Sequence, residues 1–198
     1  MTWKRGNADE FLEDIMKPAR LQKIILDLCG GTGAWSKPYK DAGYDVVIID
    51  ADQDVRLFHT TASIHGILAA PPCTHLAGSG ARWWSEKGKG ALLESLSIVD
   101  ACLRVVLLTQ PKWWCLENPV GRLVHFIGKP KMYFDPWEYG DPYTKKTCLW
   151  GDFNEPVKNP VEPTEGGKMW RLPPSDDRPM LRSITPPGFA KAFFEANP

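Results

Sequence analysis

Apolar residues along this chain recur in two periods. Phe11, Leu12, Ile15, Met16 and Leu21 fall close to helical spacing within Asp9–Lys23, and the unbroken run Ile24–Leu28 that follows reads as a buried strand. A glycine-rich turn then leads to Ser36–Gly43, which has room for a short helix, and Tyr44–Ile49 is a second, β-branched strand ending in Asp50. Gly66–Ala70 predicts a third strand running directly into Pro71-Pro72-Cys73, where proline stops further sheet pairing. Leu92–Thr109 carries Leu92, Leu93, Leu96, Val99, Leu103, Val106 and Leu107 at helical spacing. Trp113–Leu116 follows as a strand ending in Glu117-Asn118-Pro119. Thr147–Trp150 gives one more short strand, Gly151–Arg182 shows no steady period and is expected to be mostly loop, and a last helix spans roughly Gly188–Ala196. Strands alternating with helices predict an α/β fold with a mostly parallel sheet, helices on both faces and ligands at the carboxyl ends of the strands.

Composition narrows the setting. The chain has 198 residues, the size of one ordinary domain, with 43% hydrophobic and 24% charged positions, so it is globular rather than disordered. Its 18 prolines crowd toward the C-terminal half. Lys plus Arg balances Asp plus Glu at 24 each, which excludes a general attraction to polyanions and makes any nucleic-acid contact local. No apolar run reaches the ~18 residues that span a bilayer, and no export signal is evident, so a cytoplasmic protein without membrane contact is expected. Cys29, Cys73, Cys102, Cys115 and Cys148 are odd in number and contain no C-x-x-C pair, which argues against a disulfide framework and against a bound metal.

The first candidate chemistry lies in Asp27-Leu28-Cys29-Gly30-Gly31-Thr32-Gly33, between a strand and a helix, where glycines let backbone approach a ligand. Asp50, at the end of the next strand, is placed to accept hydrogen bonds from ribose hydroxyls. The loop lacks the Lys-Ser/Thr ending of a phosphate-binding loop, and Asp27 would repel a pyrophosphate while suiting an ammonium group. S-adenosylmethionine carries such a group; NAD competes on these residues alone.

Three segments taken together resemble one family. Asp27–Gly33, Ala70-Pro71-Pro72-Cys73 and Leu116-Glu117-Asn118-Pro119 are similar, in type and order, to the cofactor loop, Pro-Cys motif and Glu-Asn motif of the DNA cytosine-5 methyltransferases. The likeness covers roughly Ile24–Gly151 and is strongest to short, phage-type members. It implies a Rossmann-like class I S-adenosylmethionine-dependent methyltransferase fold over residues 1–198, with 151–182 a short Pro-rich insertion in place of a full target-recognition domain. It also implies S-adenosylmethionine as cofactor, contacted by Asp27, Cys29, Gly31, Gly33, Trp35, Asp50, Ala51 and Pro71. The partner implied is DNA with a cytosine swung out of the stack, contacted by Pro72, Thr74, His75, Asn118 and Arg82. Cys73 is then the nucleophile that adds to carbon 6 of cytosine, and Glu117 the carboxyl group that holds ring nitrogen 3.

The chain departs from the family at three places. Thr74-His75-Leu76-Ala77-Gly78-Ser79-Gly80 follows the cysteine where the family has Gln, an aromatic and Ser. In the family's Gln-x-Arg-x-Arg motif, Tyr143 stands for Gln, Lys145 for the first Arg and Thr147 for the second, leaving Lys145 as the one catalytic cation. The short insertion leaves room for a partner that supplies sequence specificity, while Arg82-Trp83-Trp84 with Lys87 and Lys89 could close over DNA. Two further readings stay open: the same chemistry on RNA, and a module that binds cofactor or nucleic acid without turnover. An amino-group methyltransferase fits less well, since it has no use for Cys73.

Overall fold

The structure, a computed structural model, describes residues 23–198; the helix expected over Asp9–Lys23 lies outside the described residues except for Lys23. The first four strands are β1 (Ile24–Leu28), β2 (Asp45–Ile49), β3 (Ile64–Ala69) and β4 (Trp113–Pro119). They are followed by β5 (Met132–Phe134) and β6 (Thr147–Asp152). Helix α1 (Lys37–Asp41) joins β1 to β2, and the long α2 (Trp84–Thr109) joins β3 to β4. Four shorter α-helices, α3 (Val124–Ile127), α4 (Lys168–Arg171), α5 (Arg178–Ser183) and α6 (Pro187–Ala196), and two 3-10 helices, Gly78–Trp83 and Pro136–Tyr139, complete the helices of the described residues.

The sheet order is β2-β1-β3-β4-β6-β5. Pairs β1–β2, β1–β3 and β3–β4 are parallel, whereas β4–β6 and β5–β6 are antiparallel. The expectation of a mostly parallel sheet is met in part: the sheet is mixed, with β6 alone running against its companions. The reason is local. β6 follows β5 as its sheet neighbour with no long crossover helix between them, and a parallel pairing of the two would need one.

Alternate strand residues enter two cores. Leu26, Leu28, Ile67, Leu116 and Cys148 meet Val99, Cys102 and Val105 of α2 on one face. On the other, Ile25, Leu68, Cys115 and Leu149 pack with Tyr39 of α1 and Phe189 and Phe193 of α6. Helices therefore cover both faces. α2 begins eight residues earlier than its apolar period suggested, and it is broken at Gly88, whose φ of 72° lies outside helical space. The stretch read as loop, 151–182, is irregular over most of its length but holds α4 and most of α5. The short edge strand β5 was not anticipated, because three residues are too few to show a period.

An aromatic layer ties α6 to the start of the fold. Phe189 stacks on Phe134 with centroids 3.8 Å apart and planes 11° from parallel, and it lies 6.1 Å from Trp35. Trp35 in turn meets Phe193 edge-on at 5.5 Å. Because Trp35 directly follows the glycine turn, this layer supports that turn from below. Phe189→Ala is expected to cost about 3–5 kcal/mol, the range for emptying a packed aromatic site. Urea unfolding checks it: a loss well under 1 kcal/mol would mean that α6 is not held through this ring.

Candidate active site

The chain moves from β1 outward to β2 and then crosses back to β3 on the other side of β1. Such a reversal opens a crevice at the strands' carboxyl ends. A cleft lies there. Its walls are the turn after β1 (Asp27, Cys29 to Thr32, Ala34, Trp35), the turn after β3 (Ala70 to Cys73), Glu117 and Pro119 of β4, Lys145 before β6, and Arg182, Ser183 and Thr185.

At the β1 end, Asp27 is fully buried because it alternates with Ile25 on the inner face of the strand. Ser36 donates a 2.5 Å hydrogen bond to Asp27 Oδ2, while Oδ1 is buried without a partner. A Cβ on Gly30 would lie 2.5 Å from the Asp27 carboxyl carbon, so only glycine lets the turn fold over this group. Burial, only partly offset by the Ser36 hydrogen bond and reinforced by nearby Asp50, pushes the Asp27 carboxyl up to about 6. The indole Nε1 of Trp35 is likewise buried and unpartnered. A buried carboxylate oxygen facing a cleft with no internal donor is suited to a cationic group on a ligand.

At the β3 and β4 end, two strand ends are locked together by backbone. Gly78 N–H donates to Val120 O at 2.8 Å and Arg122 N–H to Leu76 O at 2.9 Å, with an antiparallel bridge between Ala77 and Gly121. A Cβ on Gly121 would lie 2.0 Å from Leu76 O, so the two turns touch without any side chain between them. Asn118, fully buried, donates from Nδ2 to Pro71 O at 2.9 Å, and Arg122 Nε donates to His75 O at 2.8 Å. The Cys73 carbonyl accepts from Leu76 and Ala77 N–H, both at 2.9 Å, which closes the turn that presents the thiol.

Cys73, Glu117 and Lys145 meet in this part of the cleft. Burial first and the Glu117 charge second push the Cys73 thiol up, while Lys145 and Arg182 pull it down. Burial raises the Glu117 carboxyl, with Lys145 opposing. Lys145 is held by its own backbone, its N–H donating to Asp135 Oδ1 at 2.9 Å and its carbonyl accepting from Thr147 Oγ1 at 2.8 Å.

Of the residues singled out in the sequence, the cleft brings together Asp27, Cys29, Gly31, Trp35, Pro71, Pro72, Cys73, Glu117 and Lys145. Gly33 supports the turn from behind at φ 69°, its N–H donating to Gly30 O at 2.9 Å. Asp50 is half-buried near Asp27, and Ala51 beyond it is exposed; neither lines the cleft. Thr74, His75 and Arg82 also stand outside the lining. Arg82 is exposed, its guanidinium 5.1 Å from the Trp83 ring. Asn118 faces Pro71 rather than the cleft, so its place is that of a brace between the two turns. Sequence reasoning missed Arg182, Ser183 and Thr185, because they lie in and just past the aperiodic stretch where no pattern marks an inward position.

The Asp27 carboxyl carries a pH signature. Its folded value near 6 exceeds the ordinary 3.8, so the folded state favours the protonated form. This contribution is fully present below about pH 4 and lost as pH rises through about 6, amounting to roughly 3 kcal/mol. Relative to the wild type, Asp27→Asn should gain stability as pH rises from about 4 to about 6 and hold that gain above it. Urea titrations of both proteins across this range test the point; a pH-independent difference would contradict it.

No family model matches this chain, and no curated protein does. Among solved structures, it is similar to the crystal structure of a candidate DNA modification methyltransferase encoded within an E. coli prophage, at 17% identity and a TM-score of 0.44. The match covers 79% of this chain and 50% of that one, so the chain spans about half the length of the structure it matches.

Proposed function

We propose that this protein is an S-adenosylmethionine-dependent DNA cytosine-5 methyltransferase acting through a covalent Cys73 adduct. The observation that carries the reading is the meeting of Cys73, Glu117 and Lys145 in one cleft with the buried Asp27 carboxyl and its glycine turn. The Asp27 end fits the cofactor: Oδ1 without an internal donor suits the ammonium group, and Trp35 offers an unpartnered indole N–H. When bound, S-adenosylmethionine would supply an electrophilic methyl group on a sulfonium.

The chain's own residues account for making the cytosine ring reactive. The Cys73 thiolate bonds to carbon 6, and the ring electrons move toward nitrogen 3 and the carbonyl oxygen. Glu117, whose proton is retained to higher pH than an ordinary carboxyl group's, gives that proton to nitrogen 3, and Lys145 faces the charge that gathers there. Carbon 5 becomes the nucleophile as a result. After it is methylated, a solvent base takes the carbon 5 proton, that bond's electron pair forms the carbon 5–carbon 6 double bond, the sulfur–carbon bond breaks to regenerate the Cys73 thiolate, and nitrogen 3 returns its proton to Glu117.

Duplex DNA containing 5-fluorocytosine tests this directly, since fluorine blocks the last elimination. With S-adenosylmethionine a denaturation-resistant adduct should form in wild type, be absent in Cys73→Ala, and form at least about tenfold more slowly in Glu117→Gln. Single-stranded DNA and RNA carrying the same base are parallel arms. Trapping on RNA alone moves the chemistry to RNA, and no adduct on any strand while the cofactor binds leaves a binding module.

Cofactor affinity supplies a second expectation. An ammonium group pairs with the ionised form of Asp27, so binding of S-adenosylmethionine should weaken as pH falls through about 6, approaching tenfold per pH unit below it. Calorimetric titration should show this slope in wild type and its loss in Asp27→Asn; equal slopes would remove Asp27 from the cofactor site.

A further inference from the structure

Arg122 lies where three parts of the chain meet. It follows the close approach at Gly121, and its main-chain N–H donates to Leu76 O at 2.9 Å, which accounts for its backbone but not for its side chain. That side chain turns back onto the cysteine turn. Its Nε donates to His75 O at 2.8 Å, so one residue holds the successive carbonyls of His75 and Leu76, just beyond Cys73. The guanidinium carbon also stands 4.5 Å from the ring centre of Trp84, the first residue of α2.

The chain between these two contacts has little else to hold it. Gly78–Trp83 is a 3-10 helix that buries none of its residues, and Ser85 to Gly90 are exposed. The break at Gly88 separates the first turn of α2 from the part of the helix that packs on the sheet. Segments with so few buried contacts open readily unless tied down, and the ties present are the Gly78 bond to Val120 and the two contacts of the Arg122 side chain.

The chemistry of the contact separates position from packing. Arg122 Nη2, His75 Nδ1 and Trp84 Nε1 are all buried with no protein partner. Such a cluster costs desolvation that an apolar side chain would avoid, so packing alone does not call for a guanidinium here. What arginine supplies is a rigid plane, with a donor at Nε aimed at the turn and a flat cationic face against the indole.

We propose that Arg122 is a positioning residue for Cys73: its side chain joins the cysteine turn to the first turn of α2 and so holds the thiol where it opens into the cleft. Its effect on rate rests on the reading of Cys73 as the nucleophile, whereas the contact itself does not.

Arg122→Lys isolates the contact. Lysine keeps the charge and a long stem beside Trp84, but it sets a methylene where Nε was and so loses the donor to His75 O. Arg122→Met removes the charge as well; should it fail to fold, Arg122→Lys still decides. Amide-resolved hydrogen exchange should show Leu76 and Ala77 losing protection at least about tenfold in Arg122→Lys, with the amides of β1, β3 and β4 unchanged. Single-turnover formation of the 5-fluorocytosine adduct should slow by about ten- to a hundredfold at saturating DNA. The half-saturating DNA concentration and the affinity for S-adenosylmethionine should each stay within about threefold of wild type.

An arginine that serves stability alone predicts a different pattern. Exchange would then rise across the strands together, and the folded fraction would form the adduct at the wild-type rate. That pattern overturns the proposal, as does unchanged exchange at Leu76 and Ala77, or an unchanged adduct rate beside a local loss of protection. The two readings fail separately: if wild type forms no adduct on any strand while Arg122→Lys loosens Leu76 and Ala77 alone, the methyltransferase assignment falls and the tie through Arg122 stands.

Discussion

The site depends on one contact between backbones. At Gly121 the chain passes so close to the Leu76 carbonyl that a Cβ would lie 2.0 Å from its oxygen, and hydrogen bonds on either side of this point join 76–78 to 120–122. β3 and β4 are already parallel neighbours, so their carboxyl ends would lie side by side in any case. Neighbouring strands alone, however, leave the turns beyond them free to splay. The clamp removes that freedom and the Asn118 amide adds a bond to the Pro71 carbonyl, so that the thiol of the turn after β3 opens into the same space as the Glu117 carboxyl of β4. Positioning of this kind uses main-chain atoms, which do not change rotamer, and it fixes reacting groups more tightly than side-chain packing would.

With the geometry fixed by backbone, the energetic problem moves to charge. The cleft encloses two carboxyl groups, Asp27 and Glu117, both raised chiefly by burial. Proteins commonly relieve such groups with internal ion pairs. Here Asp27 receives a single hydroxyl donor and Glu117 a nearby ammonium, which leaves both short of full compensation. A group kept in that condition binds a proton or a cationic ligand more readily than an exposed carboxylate does, and the stability it forgoes is recovered on binding. The same logic explains why the aromatic layer of Phe134, Trp35, Phe189 and Phe193 lies beneath the glycine turn. Dense packing there offsets the cost of burying Asp27 next to it.

What could be read from the sequence followed what the sequence encodes locally. β1, β6 and α6 lie close to where the apolar pattern put them because each buries a run of apolar residues, and β2 and α1, which bury only Ile49 and Tyr39, also lie close to their expected places. That Asp27, Cys73 and Glu117 stand at strand ends around one cleft was legible because each sits where an apolar run meets glycine or proline, and such junctions mark strand ends. The reversed direction of β6 was not legible: strand direction is set by the connection, and nothing in Thr147–Trp150 differs from a parallel strand. Nor was the inward position of Arg182, since α5 is too short to display an amphipathic period and its contact with the cleft arises from tertiary placement. Asn118, read from its neighbours as a substrate ligand, has its amide nitrogen on the Pro71 carbonyl while its Oδ1 is buried without a partner.

Strand pairing also bears on the altered motif before β6. Thr147 is fully buried, paired with Pro119 on one side and Phe134 on the other, and its hydroxyl is committed to the Lys145 carbonyl. An arginine at this position would have to bury a guanidinium between two strands, where desolvation costs several kcal/mol without a partner. Tyr143 is also buried and stands against Lys168, whose ammonium lies 5.4 Å from its ring centre. Lys145 is left as the cation that this segment directs into the cleft. A second cation, Arg182 of α5, stands in the lining of the same cleft.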